Sequence, residues 1–388
     1  MKRAIGACIA MGVLCLGGWL WTGRKHAPKP AAVASIREPS EDVARCKECH
    51  AAHANEFLKT GHALALRPGN DPEAMSRFAG ETVVIGQPAV SFRFWEENEK
   101  LWCVNEKSGE KTQVNWMFGS GHHGMTPVVV AKNQRGDEEG PDLHVSWYRP
   151  HGLALTMGHE QVIATNPHSL GSLNNASDTK ECFKCHTTEL TRKGRGIETA
   201  HLLPGVLCSR CHANAKQHAE TMHAGKSAAS FDDWKSLTPA QSVDRCGECH
   251  RSPIVFEPEE IKPENRALTR FASVGLPLSR CFEFQKSRQR EDGTTRRLDC
   301  LTCHDPHRPM PTDEQHYNNR CRDCHARANS QDSDCPNQAI TSDCVSCHMP
   351  KVRMNAPASF TDHWIRVRTA TEISAASQPP SSVPASPK

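Results

Sequence analysis

Fourteen of the 19 cysteines form seven Cys-x-x-Cys pairs, and a histidine directly follows each pair. Two thiols three residues apart can bond the two vinyl groups of one porphyrin, and the next imidazole then reaches its iron, so this pattern is the attachment signature of haem c. The sequence therefore predicts seven covalently attached haem c groups. In chain order, motifs 1 to 7 are Cys46-x-x-Cys49-His50, Cys182-x-x-Cys185-His186, Cys208-x-x-Cys211-His212, Cys246-x-x-Cys249-His250, Cys300-x-x-Cys303-His304, Cys321-x-x-Cys324-His325 and Cys344-x-x-Cys347-His348.

Other chemistry also uses paired cysteines. Zinc ribbons, disulfide frameworks and thioredoxin-like redox pairs contain Cys-x-x-Cys, but none of them needs a histidine directly after every pair. With only 22 histidines in 388 residues, seven such matches do not arise by chance. The seven motif histidines are thus the expected proximal ligands of seven irons.

Each haem iron takes a sixth ligand or keeps an open position. The abundance of further histidines favours bis-histidine iron, with Met157, Met222 and Met310 as weaker options. A histidine three residues past a motif histidine must reach a neighbouring haem, which applies to His53 and His307. The candidates outside the motifs and the N-terminal linker are His53, His62, His122, His123, His144, His151, His159, His168, His201, His218, His223, His307, His316 and His363.

The composition predicts an unusual core. Mean hydropathy is −0.60 and aromatic residues make up 6% of the chain, which is little apolar material for 388 residues. Porphyrin faces can supply the missing apolar surface, as metals and disulfides do in small scaffolds. We expect a multihaem cytochrome c fold of short α-helices and irregular chain around stacked haems. Segments 41–59 and 239–249 are predicted helices.

The long gap between motifs 1 and 2 has a different character. Runs of β-branched and aromatic residues bounded by Gly, Pro, Asn and Asp predict strands and hairpins, so residues 80–150 are expected to be a β-rich insertion. The predicted strands lie at 83–85, 90–95, 101–104, 128–131 and 143–148.

The two ends of the chain predict export and a disordered tail. Lys2 and Arg3 precede an uncharged apolar stretch, so residues 1–22 are a signal peptide or, as we favour, an uncleaved inner-membrane anchor. Residues 23–40 are a predicted flexible linker, 41–368 the heptahaem domain, and 374–388 a disordered tail. Both readings of the N-terminus place the haem domain in the periplasm or another extracytoplasmic compartment.

The formal net charge of +3 does not predict nucleic-acid binding, because haem propionates add negative charge and no basic run is interleaved with aromatics. Three cysteines of the domain lie outside the motifs: Cys103, Cys281 and Cys335. In an oxidising compartment a Cys281–Cys335 disulfide is a candidate, and a buried free thiol is an equal alternative.

The surroundings of the motifs resemble a family of multihaem cytochromes with a cytochrome c-552/4-type domain, related to the tetrahaem cytochromes of ammonia oxidisers. The resemblance covers about residues 41–368. It rests on the segments Lys59-Thr60-Gly61-His62-Ala63, Gly119-Ser120-Gly121-His122-His123-Gly124, Cys182-Phe183-Lys184-Cys185-His186-Thr187-Thr188, Gly205-Val206-Leu207-Cys208-Ser209-Arg210-Cys211-His212, Ser279-Arg280-Cys281-Phe282, Cys303-His304-Asp305-Pro306-His307, Cys347-His348-Met349-Pro350-Lys351 and Thr361-Asp362-His363-Trp364-Ile365-Arg366.

This resemblance implies distal-ligand roles for four histidines: His62, His218, His307 and His363. Relatives follow the third motif with Gly-Pro-Gly, where this chain has Ala213-Asn214-Ala215. The resemblance also implies haems stacked in close pairs, and it implies no particular substrate.

Two functions follow from these expectations. The first is electron transfer in an anaerobic, nitrogen or sulfur respiratory chain, with quinol-linked proteins or other cytochromes as redox partners. The alternative is an oxidoreductase with one open haem that acts on a small nitrogen or sulfur compound. Its chemistry would lie under the β-rich insertion, with His122, His123 and Tyr148 as catalytic candidates. No Cys-x-x-Cys-Lys motif of the pentahaem nitrite reductases occurs.

Overall fold

The computed structural model describes residues 40–226, 234–285, 297–325, 343–355 and 357–379. Its α-helices are α1 (Ser40–Phe57), α2 (Pro72–Met75), α3 (Glu160–Thr165), α4 (Ala176–His186), α5 (Cys208–Cys211), α6 (Ala215–His223), α7 (Pro239–His250), α8 (Ala272–Gly275), α9 (Arg280–Gln285), α10 (Cys300–Cys303), α11 (Glu314–His325), α12 (Cys344–His348) and α13 (Ala370–Ser377). Its strands are β1 (Leu66–Pro68), β2 (Thr82–Ile85), β3 (Val90–Glu97), β4 (Lys100–Asn105), β5 (Glu110–Gln113), β6 (Trp116–Phe118), β7 (Gly124–Val128), β8 (Ala131–Lys132), β9 (Glu138–Leu143), β10 (Val145–Tyr148), β11 (Gly152–Leu155), β12 (Gly171–Asn174), β13 (Thr187–Lys193), β14 (Gly196–Pro204), β15 (Lys351–Arg353) and β16 (Ser359–Thr361).

The β-rich region forms two antiparallel sheets with one shared core. Strands β2 to β5 make a four-stranded sheet in chain order, and an eight-stranded sheet contains β1 and β6 to β12. In β3 the side chains of Val90, Phe92 and Phe94 are buried while Arg93 is exposed, the period-2 pattern of a half-buried strand. These apolar faces pack with Leu101 into the largest hydrophobic cluster.

The β-structure is more extensive than 80–150. Strands run from Leu66 to Asn174, and the predicted 128–131 strand is divided between β7 and β8. A further hairpin, β13–β14, follows motif 2 directly. Its charged strands conceal the alternation that identifies a strand, although Gly194 at φ +57° marks its turn. The predicted β-rich range of residues 80–150 was thus too short. The short strands at either end of the region show little of the alternating apolar pattern from which a strand is predicted.

The second half of the chain contains mostly short helices and little apolar core. The clusters that hold it together are small: one contains Val243, Leu276 and Phe282, and another Phe256, Leu268 and Val274. The predicted helices at 41–59 and 239–249 are present as α1 and α7. This part of the fold leaves a large interior space between its helices.

The predicted tail overlaps a helix. Residues 370–377 form α13, where Thr369 and Glu372 make a reciprocal capping box, and Ala376 is buried. The tail was placed too early, because its Pro-rich composition begins only after this helix; residues 380–388 lie outside the described residues. So do the predicted anchor and all of the linker except Ser40. Within the described segments, no helix is long and apolar enough to cross a membrane.

Candidate haem-binding site

All seven motifs adopt the same local structure. In each, the two cysteines occupy one helical turn, and the histidine is at the helix end, directly after it, or at a kink. His50 is the motif histidine that lies at a kink: its backbone has φ −115° and ψ 41° inside α1. Residues i, i+3 and i+4 lie on one helix face, so both thiols and the imidazole point to the same side. This is the arrangement that attachment of one porphyrin requires.

A single cavity connects the motifs. Its volume is about 4780 Å³, and every motif contributes both its histidine and at least one cysteine to the lining. A pocket for one ligand measures roughly 300–1,000 Å³. Divided among seven motifs, the cavity gives about 680 Å³ each, which is within that range. The space therefore fits one large cofactor per motif.

The cavity wall is strongly cationic. Twelve arginines and two lysines line it, against five carboxylates: Glu248, Asp299, Asp305, Glu314 and Asp343. The whole chain has a net charge of only +3, so positive charge is concentrated at this wall. Carboxylate groups such as haem propionates would pair with it. The donor set and the charge both fit haem.

Four motif histidines each have a second imidazole opposite them. The ring centroids of these pairs are 6.1–6.5 Å apart, with interplanar angles from 11° to 75°. The pairs are His50 with His218 (6.5 Å), His62 with His250 (6.1 Å), His212 with His307 (6.1 Å) and His304 with His363 (6.3 Å).

These distances match axial ligation of one iron from both faces. A ligating nitrogen lies about 2 Å from its metal and about 1 Å from its ring centroid, so two opposite rings have centroids about 6 Å apart. Rotation about the metal–nitrogen bonds leaves the interplanar angle free. The second members of the pairs are the four histidines for which the family resemblance implies a distal role.

Hydrogen bonds fix the orientation of several rings. Nδ1 of His186 lies 2.8 Å from the carbonyl oxygen of Ala65, and Nδ1 of His348 lies 3.0 Å from that of Arg366. A carbonyl only accepts, so Nδ1 carries the proton and Nε2 is available for a metal. In addition, burial lowers the pKa of His304 to about 4, which keeps its ring in the neutral, ligating form.

His218 reaches its position without a Gly-Pro-Gly turn. The backbone enters α6 at Ala215, with Asn214 as the preceding residue, and one helical turn brings His218 opposite His50. A salt bridge of 3.1 Å between His223 at the end of α6 and Glu48 in motif 1 supports this placement.

The ring beside His186 differs from the four pairs. Phe118 packs against His186 at a centroid distance of 4.6 Å, and Phe183 packs on Phe118 at 5.0 Å. In the described part of the chain no second imidazole pairs with His186, nor with His325 or His348, as one does with His50. Phe118 and Phe183 therefore form a closely packed apolar surface beside the motif 2 histidine.

The glycine-rich loop at 119–124 lies at the cavity. Ser120, His122 and His123 line it, and His122 Nε2 lies 3.2 Å from the carbonyl oxygen of Lys59. Gly119 has φ +94°, and a Cβ there would lie 2.5 Å from the carbonyl oxygen of Gly124. The glycines thus serve a tight backbone turn, and the loop places two exposed imidazoles at the rim.

Tyr148 does not belong to this site. Its side chain is buried, its hydroxyl donates to the carbonyl of Leu155, and it accepts from the backbone N–H of Met157. It is absent from the cavity lining, whereas its neighbour Arg149 is present. Alternation along β10 turns Tyr148 away from the cavity, and its catalytic role stays a prediction.

Five of the candidate histidines also lie away from the cavity: His144, His151, His159, His168 and His201. His144 and His159 form a buried hydrogen-bond chain: their Nδ1 atoms are 3.0 Å apart, and His159 Nε2 lies 3.0 Å from Asp142 Oδ2. His144 Nε2 is 2.9 Å from the hydroxyl of Ser169. No sequence signal separates such structural histidines from ligands.

The cysteines outside the motifs have separate environments. Cys103 is fully buried in β4, and burial raises the pKa of its thiol. Cys281 is partly buried at the cavity wall. Cys335 lies outside the described residues, so the Cys281–Cys335 disulfide stays a prediction.

Comparisons with known proteins agree with this site. The model of a family described as cytochrome c554 and c-prime matches residues 146–213, which contain motifs 2 and 3. The chain is also similar to the crystal structure of the outer cell wall cytochrome OcwA, with a TM-score of 0.50 and 15% identity over 86% of this chain and 80% of that chain. A comparison with curated protein sequences gave no significant match. These findings support a multihaem c-type cytochrome.

Proposed function

We propose that the protein is an extracytoplasmic electron carrier with seven haem c groups, attached through the cysteines of motifs 1 to 7. The observation that carries this proposal is the set of four histidine pairs 6.1–6.5 Å apart. Saturated bis-histidine iron favours electron transfer over substrate chemistry. The cytochrome family match and the similarity to the outer cell wall cytochrome OcwA support the same function.

The residues have distinct roles in this proposal. The motif cysteines hold the cofactor, the motif histidines are proximal ligands, and His62, His218, His307 and His363 are distal ligands. The arginines of the cavity wall neutralise propionates, and the helices around the cavity exclude water. Bound haem supplies one-electron redox chemistry.

The cellular setting is part of the proposal. Haem c attachment and the N-terminal apolar stretch place the domain outside the cytoplasm, tethered to the inner membrane by residues 1–22. Histidine axial ligands set lower potentials than methionine does, which suits anaerobic, nitrogen or sulfur respiration. Quinol-linked proteins or other cytochromes are then the redox partners.

Redox titration of the purified holoprotein tests this function. An electron carrier of this kind takes up seven electrons per chain and returns them to an added oxidant without consuming a substrate. A chain that binds haem but takes up three electrons or fewer contradicts the proposal. Recovery of the protein in the membrane fraction, with residues 1–22 intact, tests the tether.

A second function has one observation in its favour. His186 packs against Phe118 and, like His325 and His348, has no paired imidazole in the described residues, so motif 2 is one candidate for an open iron position. His123 and Arg149 line the same cavity and offer a proton donor and a cation for a small anion. Binding of nitrite, hydroxylamine or nitric oxide to the native protein, altered by His123→Ala, distinguishes this oxidoreductase from a pure carrier.

A further inference from the structure

Motifs 1 and 3 are neighbours in space. Helix α1, which carries motif 1, contacts α5, which carries motif 3. The backbone N–H of Ser209 donates to Asp42 Oδ2 over 3.1 Å. The two attachment sites therefore adjoin, although motif 2 separates them in the sequence.

Motif 3 also adjoins motif 4. Arg210, inside motif 3, forms a 3.5 Å ion pair with Glu248, inside motif 4. The same guanidinium lies 4.0 Å from the sulfur of Cys249. Motif 3 thus lies between motifs 1 and 4.

Motif 2 adjoins motif 4 as well. Helix α4 contacts α7, and the thiol of Cys185 lies 3.9 Å from the carbonyl oxygen of Glu248. Motif 4 therefore has motif 2 and motif 3 as two separate neighbours.

Motif 4 has a third neighbour, from which the remaining motifs follow in order. Helix α7 contacts α10, where Cys300 packs against the hydrophobic cluster that contains Val243 of α7. Helix α10 contacts α11, and α11 contacts α12. The side-chain oxygen of Asn318 in α11 accepts from the N–H of Val345 in motif 7 over 3.0 Å.

From these contacts we infer that the seven attachment sites form a branched chain. Its main order is motifs 1, 3, 4, 5, 6 and 7, and motif 2 is a side branch joined at motif 4. The inference rests on the proposed function only in taking each motif to carry a haem. Glu248 of motif 4 contacts both the branch and the main chain.

Exposure of the thiols supports this order independently. Motifs 1, 2, 6 and 7 each have one exposed cysteine: Cys49, Cys182, Cys324 and Cys347. The cysteines of motifs 3, 4 and 5 are all partly buried. Motif 1, the side branch at motif 2 and the last two motifs of the main order thus each have a thiol exposed to solvent, whereas the branch point and its two main-order neighbours have none.

A branched order gives the carrier three ends. Redox partners can exchange electrons at motif 1, at motifs 6 and 7, and at motif 2 beneath the β-rich region. A linear order would give two ends. The third end connects the apolar site at Phe118 and His186 to the main chain at motif 4.

Iron positions in the intact holoprotein test the branch directly. Anomalous scattering from iron in a crystal is expected to show the motif 4 iron with three near neighbours and the motif 2 iron with one. A motif 2 iron lying between two others, in an unbranched row, overturns the inference. Seven irons in such a row would leave the electron-carrier proposal intact, so the two failures are distinguishable.

Directed electron injection gives a second test. A photoreductant attached at Asn55→Cys, on the exposed face of α1 near motif 1, delivers electrons at one end. Loss of the motif 2 haem by Cys182→Ser with Cys185→Ser is expected to leave all six other haems rapidly reducible. Loss of the motif 4 haem by Cys246→Ser with Cys249→Ser should confine rapid reduction to motifs 1 and 3. Rapid reduction of motif 5 in the second variant contradicts the branch point, whereas no reduction of any haem in the native protein contradicts the carrier function.

Discussion

The imidazole of His307 lies 6.1 Å from that of His212, with the two ring planes 11° apart, although His307 is only three residues past His304. The short Asp-Pro connection after motif 5 cannot fold His307 back over its own haem. Asp305 Oδ1 instead holds His307 Nδ1 at 3.2 Å, which directs Nε2 toward motif 3. Under the proposed ligation, the segment after one motif would therefore supply a ligand to the haem of another motif across the cavity.

Covalent haem count is the first prediction. The denatured protein should have the polypeptide mass plus seven haem units, because each motif presents two thiols on one helix face. Intact-mass measurement checks this. Cys103→Ser should retain seven haems, since that thiol is buried in the β-rich core, and Cys208→Ser with Cys211→Ser should retain six. A native count of five or fewer contradicts the assignment.

Distal ligation is the second prediction. Replacing His62, His218, His307 or His363 by alanine should convert one haem to high spin and raise its potential without loss of covalent haem, because the opposing imidazole is removed. Ferric electron paramagnetic resonance checks each variant. His201→Ala is the matched control, since its side chain is 69% exposed and lies outside the cavity. Four variants with native spectra would refute the ligand pairs.

Acid sensitivity of the β-rich region is the third prediction. Burial lowers the pKa of His144 to about 4, against about 6.5 in an unfolded chain. The unfolded state therefore binds more protons below pH 6.5, and stability present above that pH is lost as the pH falls toward 4, by at most about 3 kcal/mol. Hydrogen exchange of β10 and β12, corrected for intrinsic rates, should show this loss. His144→Gln keeps hydrogen-bonding groups without titrating there, and it should remove most of the pH dependence; an unchanged dependence would exclude His144 as its origin.

The rim loop provides the fourth prediction. Gly119→Ala should destabilise the protein by about 1–3 kcal/mol, because φ is +94° and the new Cβ would meet the Gly124 carbonyl oxygen at 2.5 Å. Gly109→Ala is the control: its φ is +71°, but nothing lies within 4 Å of its Cβ. Thermal unfolding compares the two variants. Equal losses would show that backbone conformation alone, and not contact with Gly124, requires glycine at 119.

The sequence predicted the motifs of the site better than it predicted which of their residues lie together in the fold. Cys-x-x-Cys-His is a local pattern, so every motif could be read from neighbouring residues, and β3 followed from its alternation. The partner of each histidine could not be predicted from neighbouring residues, because His62 and His250, for example, are brought together by tertiary structure alone. Likewise, His144 has the same residue type as a ligand, and only its burial beside His159 assigns it a structural role.

The four imidazole pairs also set an order for biogenesis. A chain exported from its N-terminus presents motif 1 first, yet the partner of His50 is His218, which follows motif 3. His62 is exported before its partner His250. His304 is exported before its partner His363, which lies near the C-terminal end. Under the proposed ligation, the early haems would remain incompletely coordinated during translocation, exposed to ligands and oxidants, until the later segments arrive. A maturation intermediate truncated after α6 would complete only the pair at motif 1, so a chaperone or attachment factor that shields open haems would be needed longest at the motifs whose partners are exported last.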